Sequence, residues 1–502
     1  ISDELYNSEE CPTCTTFEKM LGAYKAQYRI TDYRQFPKEL MTQYTAADTW
    51  NALWCFSQLY QKMLANEQQT LYDIECQMLI VAYWMERRGV RLDPNYKDEL
   101  IPELQKEADE AERAIYDIAG GVFNINSSQQ LYSVLCKLGY KDRVRFNKPT
   151  ETMLAKGITQ GNPKLDKFEM ERLDNEGVHI VKHIQKFRAA EKLLNTFAIK
   201  LYEMCDYNNT VHCNINTMEA KTGRFSISNP SMQNMPRRKD SRVRGAFVAP
   251  EDYTLYDFDF KAQESFILIH YARPALLMQY LAEGKEIHRS FAVFIYGVPY
   301  EEVTKALRDV SKSVEFAIVY GAGGSKVAAM TGLSLDEANM AMRSILKNIP
   351  EIDVFIRTAN IVAKERRMVR TRLNRHVYVE RGREYACVNY IIQGSAADST
   401  KSRMVEIYKF LRANNYKTHM ILQVHDSLLQ CVHKDEEEFI LGYLRWLQTE
   451  RELFRVPITV DVARCHPTWR DKKDIDVPEV KPPEEQLEKM RNYNIWEDGI
   501  LE

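Results

Sequence analysis

Residues 253–264 read YTLYDFDFKAQE, and no other stretch constrains the fold so tightly. Tyr253, Leu255, Asp257 and Asp259 fall on one side of a two-residue alternation, and Thr254, Tyr256, Phe258 and Phe260 on the other. Period two with this aromatic content predicts a buried strand. Ionised groups on so apolar a strand need a cation or a metal to offset their desolvation. Asp259 stands where the strand passes into QESFILIHYARPALLMQYLAEG, a run of helical length and spacing. At a strand end facing a cleft it is a candidate metal ligand. The alternative is an Asp that only caps the following helix.

A second apolar run, HMILQVHDSLLQCV over 419–432, carries His425 and Asp426 at its middle. It predicts a strand or a hairpin with a polar tip. Asp259 and Asp426 on neighbouring strands could hold two hard cations, Mg2+ or Mn2+, together with phosphate oxygens.

Bulk properties set the frame. The 502 residues are 28% charged and 45% hydrophobic, which suits a soluble protein of several domains. A net charge of −3 leaves any nucleic-acid contact to local patches. No run of about 18 apolar residues exists, so no membrane span is expected. Ten scattered cysteines fit a reducing cytoplasm. Cys11 and Cys14 form a lone CxxC, read as chance spacing rather than a zinc site. The chain starts at Ile1 with no signal peptide, as a fragment or processed product would.

Within residues 1–70, YTAADTWNALWCFSQLYQKML predicts a helix with a strong apolar face. Tyr44 and Asp48 share one side of it. That pair resembles the last motif of DnaQ-like 3′→5′ exonucleases, but residues 1–40 hold no DxE. The stretch is therefore read as an exonuclease remnant, with no proofreading expected. The competing reading is ordinary packing and surface residues.

Residues 75–205 are charged and helical. A helix is predicted from Pro94 to Gly120, another after an N-cap at Ser127 or Ser128, and a loop-rich stretch over 148–177. Lys182, Lys186, Arg188 and Lys192 make a basic stripe, either a grip on a phosphate backbone or a solvated face.

Between Lys221 and Arg244 stand Arg224, Arg237, Arg238, Lys239 and Arg242, with Asp240 the one acid among them. Ser226, Ser228, Asn229, Gln233 and Asn234 intervene. Cations for phosphates and short polar groups for sugars and minor-groove acceptors predict a surface that reads duplex shape. Farther on, Arg308, Lys312, Phe316 and Tyr320 recur every fourth residue. They mark one helical stripe about 18 Å long. Its order of cation, cation, aromatic, aromatic suits the triphosphate, sugar and base of a nucleotide. His288 lies upstream, just past Gly284. Arg366, Arg367, Arg370, Arg372 and Arg375 could track a template strand. Asn389 and Gln393 share a face of a helix that runs through Asp398. Residues after Pro467 read as a loosely held polar tail.

DFKAQES, RDVSKSVEFAIVYG and QVHDS, in this order and spacing, resemble the palm and fingers motifs of family A DNA polymerases. TGRFSISNPSMQNMP, EGKEIH and QGSAAD extend the resemblance over about residues 75–465. It implies an α+β multidomain right-hand fold. Residues 71–210 would form the thumb and connecting helices, 211–264 the first part of the palm, 265–383 the fingers and 384–466 the second part of the palm. The 1–70 remnant and the 467–502 tail would flank them. It implies a template-directed DNA polymerase with two Mg2+ or Mn2+ on Asp259 and Asp426. Arg308, Lys312 and His288 would hold phosphates, and Lys312 would protonate pyrophosphate. Glu264 would exclude the ribose 2′-hydroxyl, Phe316 would meet the sugar and Tyr320 would stack near the templating base. Arg224, Asn389, Gln393 and His425 would contact the primer terminus and minor groove. Primer–template DNA, dNTPs and replisome accessory proteins would be the partners.

Some positions depart from the pattern: Ser427 replaces an acidic residue, Glu315 an Asn, and Tyr385 an Arg. Such divergence suggests a phage or other viral replicase, acting in the host cytoplasm. A single-subunit RNA polymerase relative is the first alternative, opposed by Glu264 and QGSAAD. A non-catalytic DNA-binding relative is the second, opposed by the presence of both aspartates.

Overall fold

The computed structural model describes residues 22–30, 32–236 and 240–498, which fall into two compact units dividing after Asp73. Cys11, Cys14, Arg237, Arg238 and Lys239 lie outside the described residues. In the first unit the predicted helix runs from Lys38 to Ala65. No residue of it is buried, and Trp50, Leu53 and Phe56 are exposed. The apolar pattern is present, but its expected burial is not. Tyr44 packs beside Ile30 and Phe36, whereas Asp48 is exposed.

The second unit is built on a five-stranded sheet. Its strands are β1 (Tyr253–Phe260), β2 (His419–Val424), β3 (Ser427–His433), β4 (Val460–Cys465) and β5 (Lys472–Ile475). They lie in the order β5-β4-β1-β3-β2, and every pairing is antiparallel. β1 is central, and Thr254 to Phe258 are all buried. The β2–β3 hairpin turns at His425 and Asp426, where His425 takes a left-handed φ of 58°. The expected polar tip is therefore the turn itself.

The last strand corrects the tail reading. Lys472–Ile475 pairs with β4, and the helix Glu484–Asn492 buries Leu487 in the main core. Asp498 accepts from Tyr408 at 2.8 Å and from Arg412 at 3.0 Å. Apolar Val477, Leu487 and Ile495 supply the burial, so polarity outweighed them only in the composition.

Helices α1 (Tyr96–Ala119) and α2 (Ile180–Glu191) pack together as an arm with its own core, which includes Ile115, Leu131, Leu173 and Ile184. Gly120 closes α1 in the left-handed conformation, and Ser127 caps the next helix by accepting from Gln130 N–H. The supposed loop over 148–177 contains a helix, Lys167–Asn175, capped by Asp166. Of the basic stripe, Lys182, Lys186 and Lys192 are exposed. Arg188 instead donates to the carbonyls of Ile125 and Leu165.

Four more helices frame the sheet end: α3 (Gln263–Ala272), α4 (Ile287–Tyr296), α5 (Lys305–Val319) and α6 (Cys387–Ala413). The run after Asp259 breaks at Arg273, with φ of 56°, and resumes at Ala275 because Pro274 disfavours helical geometry before it. α6 is almost wholly buried. Lys401 on it is 0% exposed, and Nζ meets Glu75 Oε1 at 2.7 Å and the Thr217 carbonyl at 2.6 Å. Arg375 bonds Asp398 at 2.7 Å and also Glu75. Two cations thus face two anions, the arrangement a dry interior requires. No described helix is long and apolar enough to cross a membrane.

Candidate active site

Strand register brings the two predicted carboxylates together. Asp259 pairs with Ser427, the residue after Asp426. Phe260 N–H donates to the Asp426 carbonyl at 3.0 Å. Both acids therefore sit at one end of the sheet, on adjacent strands. On the other side of β1, Asp461 is opposite Asp259 and pairs with Lys261 at 2.8 Å. Asp257 is 1% exposed, and its cation is Lys472, with Nζ 3.1 Å from Asp257 Oδ2 and 3.8 Å from Asp259 Oδ2.

The four-residue stripe is a real surface of α5. Arg308 makes a fork to Glu286, Nε to Oε2 and Nη2 to Oε1, both at 3.1 Å. Burial works against the guanidinium charge, but Glu286 outweighs it and the pKa is raised. Lys312 Nζ lies 5.7 Å from the Phe316 ring, and Phe316 is 6.4 Å from Tyr320. Gly321 follows with φ of 62°, and a side chain there would strike the Tyr385 carbonyl. That closeness fixes where α5 ends and where Tyr320 stands.

Tyr320 leads back to the sheet end. Its hydroxyl donates to Glu264 Oε1 at 3.4 Å and accepts from Gln393 Nε2 at 2.9 Å. Arg224 Nη2 donates to the same Glu264 oxygen at 2.5 Å. Burial, then the Glu264 charge, raises the Tyr320 pKa. Glu264 Oε2 and Asn389 Oδ1 are buried with no hydrogen-bond partner among the described residues.

Gln233 Nε2 donates to Gln423 Oε1 at 3.3 Å, and Gln423 donates in turn to the His425 carbonyl. Arg224, Phe225, Gln263 and these residues line a cavity of about 160 Å³. Asn234 is exposed and bonds Ser231 Oγ at 2.7 Å. His288 is 3% exposed, and its Nδ1 meets Glu315 Oε2 at 2.8 Å. That contact accounts for the acid at 315.

The basic runs are less open than expected. Arg242 is held by Asp240, Glu103 and Glu107, and these carboxylates raise its pKa. Arg244 is buried, 4.0 Å from the Trp469 ring. Arg367 pairs with Glu384, Arg372 bonds the Leu453 carbonyl, and Arg375 belongs to the buried network. Arg366 and Arg370 are exposed. Partners distant in sequence, carboxylates for Arg242 and Arg375, a carbonyl for Arg372 and an aromatic ring for Arg244, make these arginines structural.

Among the described residues no group of three His, Cys, Asp or Glu could hold a metal by itself. Two carboxylates with oxygen donors only still fit Mg2+, which commonly takes one or two carboxylates plus substrate phosphate. Lys472 and Asp461 are neighbours of the site that no local pattern marks, whereas Glu286 stands within EGKEIH.

The family model for DNA polymerase family A matches residues 94–471. DNA polymerase I of Pseudomonas aeruginosa is 28% identical over 462 residues, covering 89% of this chain and 49% of that protein. DNA polymerase I of Geobacillus stearothermophilus is 30% identical over 438 residues, covering 84% and 48%. The chain thus spans about half the length of the curated relatives it matches. Among solved structures, the POL domain of Pol1 from M. smegmatis, in complex with DNA primer-template and dNTP, superposes with a TM-score of 0.74 at 25% identity. That match covers 82% of this chain and 73% of the other.

Proposed function

The chain belongs to DNA polymerase family A, and from that membership we propose that it extends a primer 3′-hydroxyl with deoxynucleotides chosen by a template, releasing pyrophosphate. One observation carries the reading: the Asp259–Asp426 sheet end is joined to the α5 stripe through Glu264 and Tyr320. The solved neighbour, held with primer-template and dNTP, supports it. Asp259 and Asp426 would hold two Mg2+. Such ions, when bound, make the primer hydroxyl more acidic and neutralise charge on the triphosphate.

The chain's own groups do the rest. Arg308 presents a planar fork to phosphate oxygens, exchanging Glu286 for the ligand. Lys312 carries the proton for the departing pyrophosphate. The Phe316 face lies against the sugar, and Glu264 fills the space a 2′-hydroxyl would need. Arg224, Gln233, Gln393 and His425 border the groove that takes the primer end. Within residues 1–70 the likeness to an exonuclease rests on Tyr44 and Asp48, too few groups to hold two metals, so this stretch is not expected to excise a mismatched primer end.

The test is extension of a primed template with Mg2+ and four dNTPs, beside a 3′-mismatched primer. Extension of the matched primer, without excision of the mismatch, is expected. No extension by a folded chain would overturn the reading.

A further inference from the structure

Arg88 ends the helix Gln69–Arg88 and faces a cavity of about 370 Å³. Arg91, Asn208, Thr210 and His419 also line it. Arg88 lies 5.8 Å from the Trp84 ring. Among the described residues no carboxylate or carbonyl accepts from its guanidinium, so its five N–H donors have no protein acceptor. Burial lowers its pKa, and the nearby Arg412 lowers it further.

No carboxylate acts on Arg88 itself; Glu436, which acts on His419 and Tyr253, is engaged by the backbone N–H groups of Lys417 and Thr418. Burial pushes the Cys431 thiol up to about 12 and His419 down to about 4. The Tyr408 and Tyr253 phenols are raised as well. All four are uncharged near neutral pH, and Arg412 is already engaged by Asp498. A half-buried cation among neutral walls is costly unless an anion joins it. At the rim Arg91 is exposed, and Tyr207 is 93% exposed. Cations beside an open aromatic face make the pairing that binds single strands, phosphate on one and base on the other.

The place is separate from the carboxylate end. His419 pairs with Cys431 at the far end of the β2–β3 hairpin from its turn. At about 3.3 Å per residue the two ends are roughly 17 Å apart.

We propose that this cavity is a second phosphate-binding site, with Arg88 as its anchor, and that the phosphate belongs to single-stranded DNA whose base lies on Tyr207. Asn208 and Thr210 add short polar contacts. The site stands whether or not the polymerase reading does.

The test titrates the full chain, first saturated with a primer–template hairpin, with inorganic phosphate, dTMP and (dT)8, read by calorimetry. Saturable binding is expected, weakened at least tenfold by Arg88→Met, with primer extension kept. Should Arg88→Met fail to fold, Asn208→Asp places a negative charge at the exposed rim and gives the same loss. Tighter binding of (dT)8 than of dTMP, reduced by Tyr207→Ala, assigns the phosphate to a strand. Equal binding with no Tyr207 effect overturns the strand assignment. Absence of saturable binding, or equal affinities in wild type and in folded variants, overturns the site.

Discussion

The backbone N–H of Phe260 donates to the carbonyl of Asp426 across 3.0 Å. This bond clamps the hairpin turn to the end of the central strand, so the position of Asp426 relative to Asp259 does not depend on either side chain. Asp426→Asn should therefore leave the fold intact. Primer extension should fall by more than ~100-fold in kcat, with an unchanged circular dichroism spectrum. Wild-type extension by this variant would remove Asp426 from the reaction.

Glu264 is held by Arg224 and Tyr320, which fix the carboxylate in place. Glu264→Ala should raise ribonucleotide incorporation relative to deoxynucleotide by on the order of 100-fold. Tyr320→Phe removes the longer of the two bonds to Glu264, together with the Gln393 bond, and leaves Arg224 on the carboxylate, so it should have a smaller effect. Single-turnover rates with dCTP and CTP distinguish the two.

Arg308 meets Glu286 through a two-point fork, the geometry it would use on phosphate. Arg308→Lys keeps the charge and loses the fork. At about 1.5–3 kcal/mol for a charge-assisted bond, KM for dNTP should rise roughly 10- to 100-fold. Steady-state titration of dNTP measures it.

Lys401 is sealed against Glu75. Lys401→Met leaves Glu75 with Arg375 as its one remaining cation, beside Asp398, and should destabilise the chain by about 3 kcal/mol in denaturant unfolding. Adding Glu75→Gln should recover part of the loss, since it restores one cation, Arg375, facing one anion, Asp398.

His270 accepts from Arg455 N–H at 3.1 Å through Nδ1. Burial, then Arg372, Arg455 and Arg273, push its pKa down to about 4. Its contribution to stability is complete above the unfolded value near 6.5 and is lost as pH falls toward 4, because the unfolded chain binds the proton first. Replacing it by Gln should flatten stability between pH 6.5 and 4 by about 1 kcal/mol after solvent screening. Urea unfolding at several pH values tests the slope.

Much of the site was legible. Alternation exposed β1 and the β2–β3 hairpin, and the four-residue spacing exposed the α5 stripe, because local geometry fixes both periods. What escaped was set by distant partners. Lys472 could be recognised as the Asp257 cation only once β5 had joined the sheet. Arg242 and Arg375 looked available because Glu103, Glu107 and Glu75 lie far away in the chain. His288 looked like a bare phosphate ligand because its Glu315 partner sits on another helix. The exposed Trp50 face carried a core-like pattern without burial.

The central strand of the sheet is synthesised long before any strand that borders it. As translation proceeds, β1 leaves the ribosome with both edges bare, carrying Asp257 and Asp259 ahead of their lysine. It must stay unpaired, or be shielded by a chaperone, through the whole run of α3 to α6. Late closure of this kind favours slow folding, and it makes stalling of the nascent chain upstream of β2 a route to aggregation rather than to a partly active product.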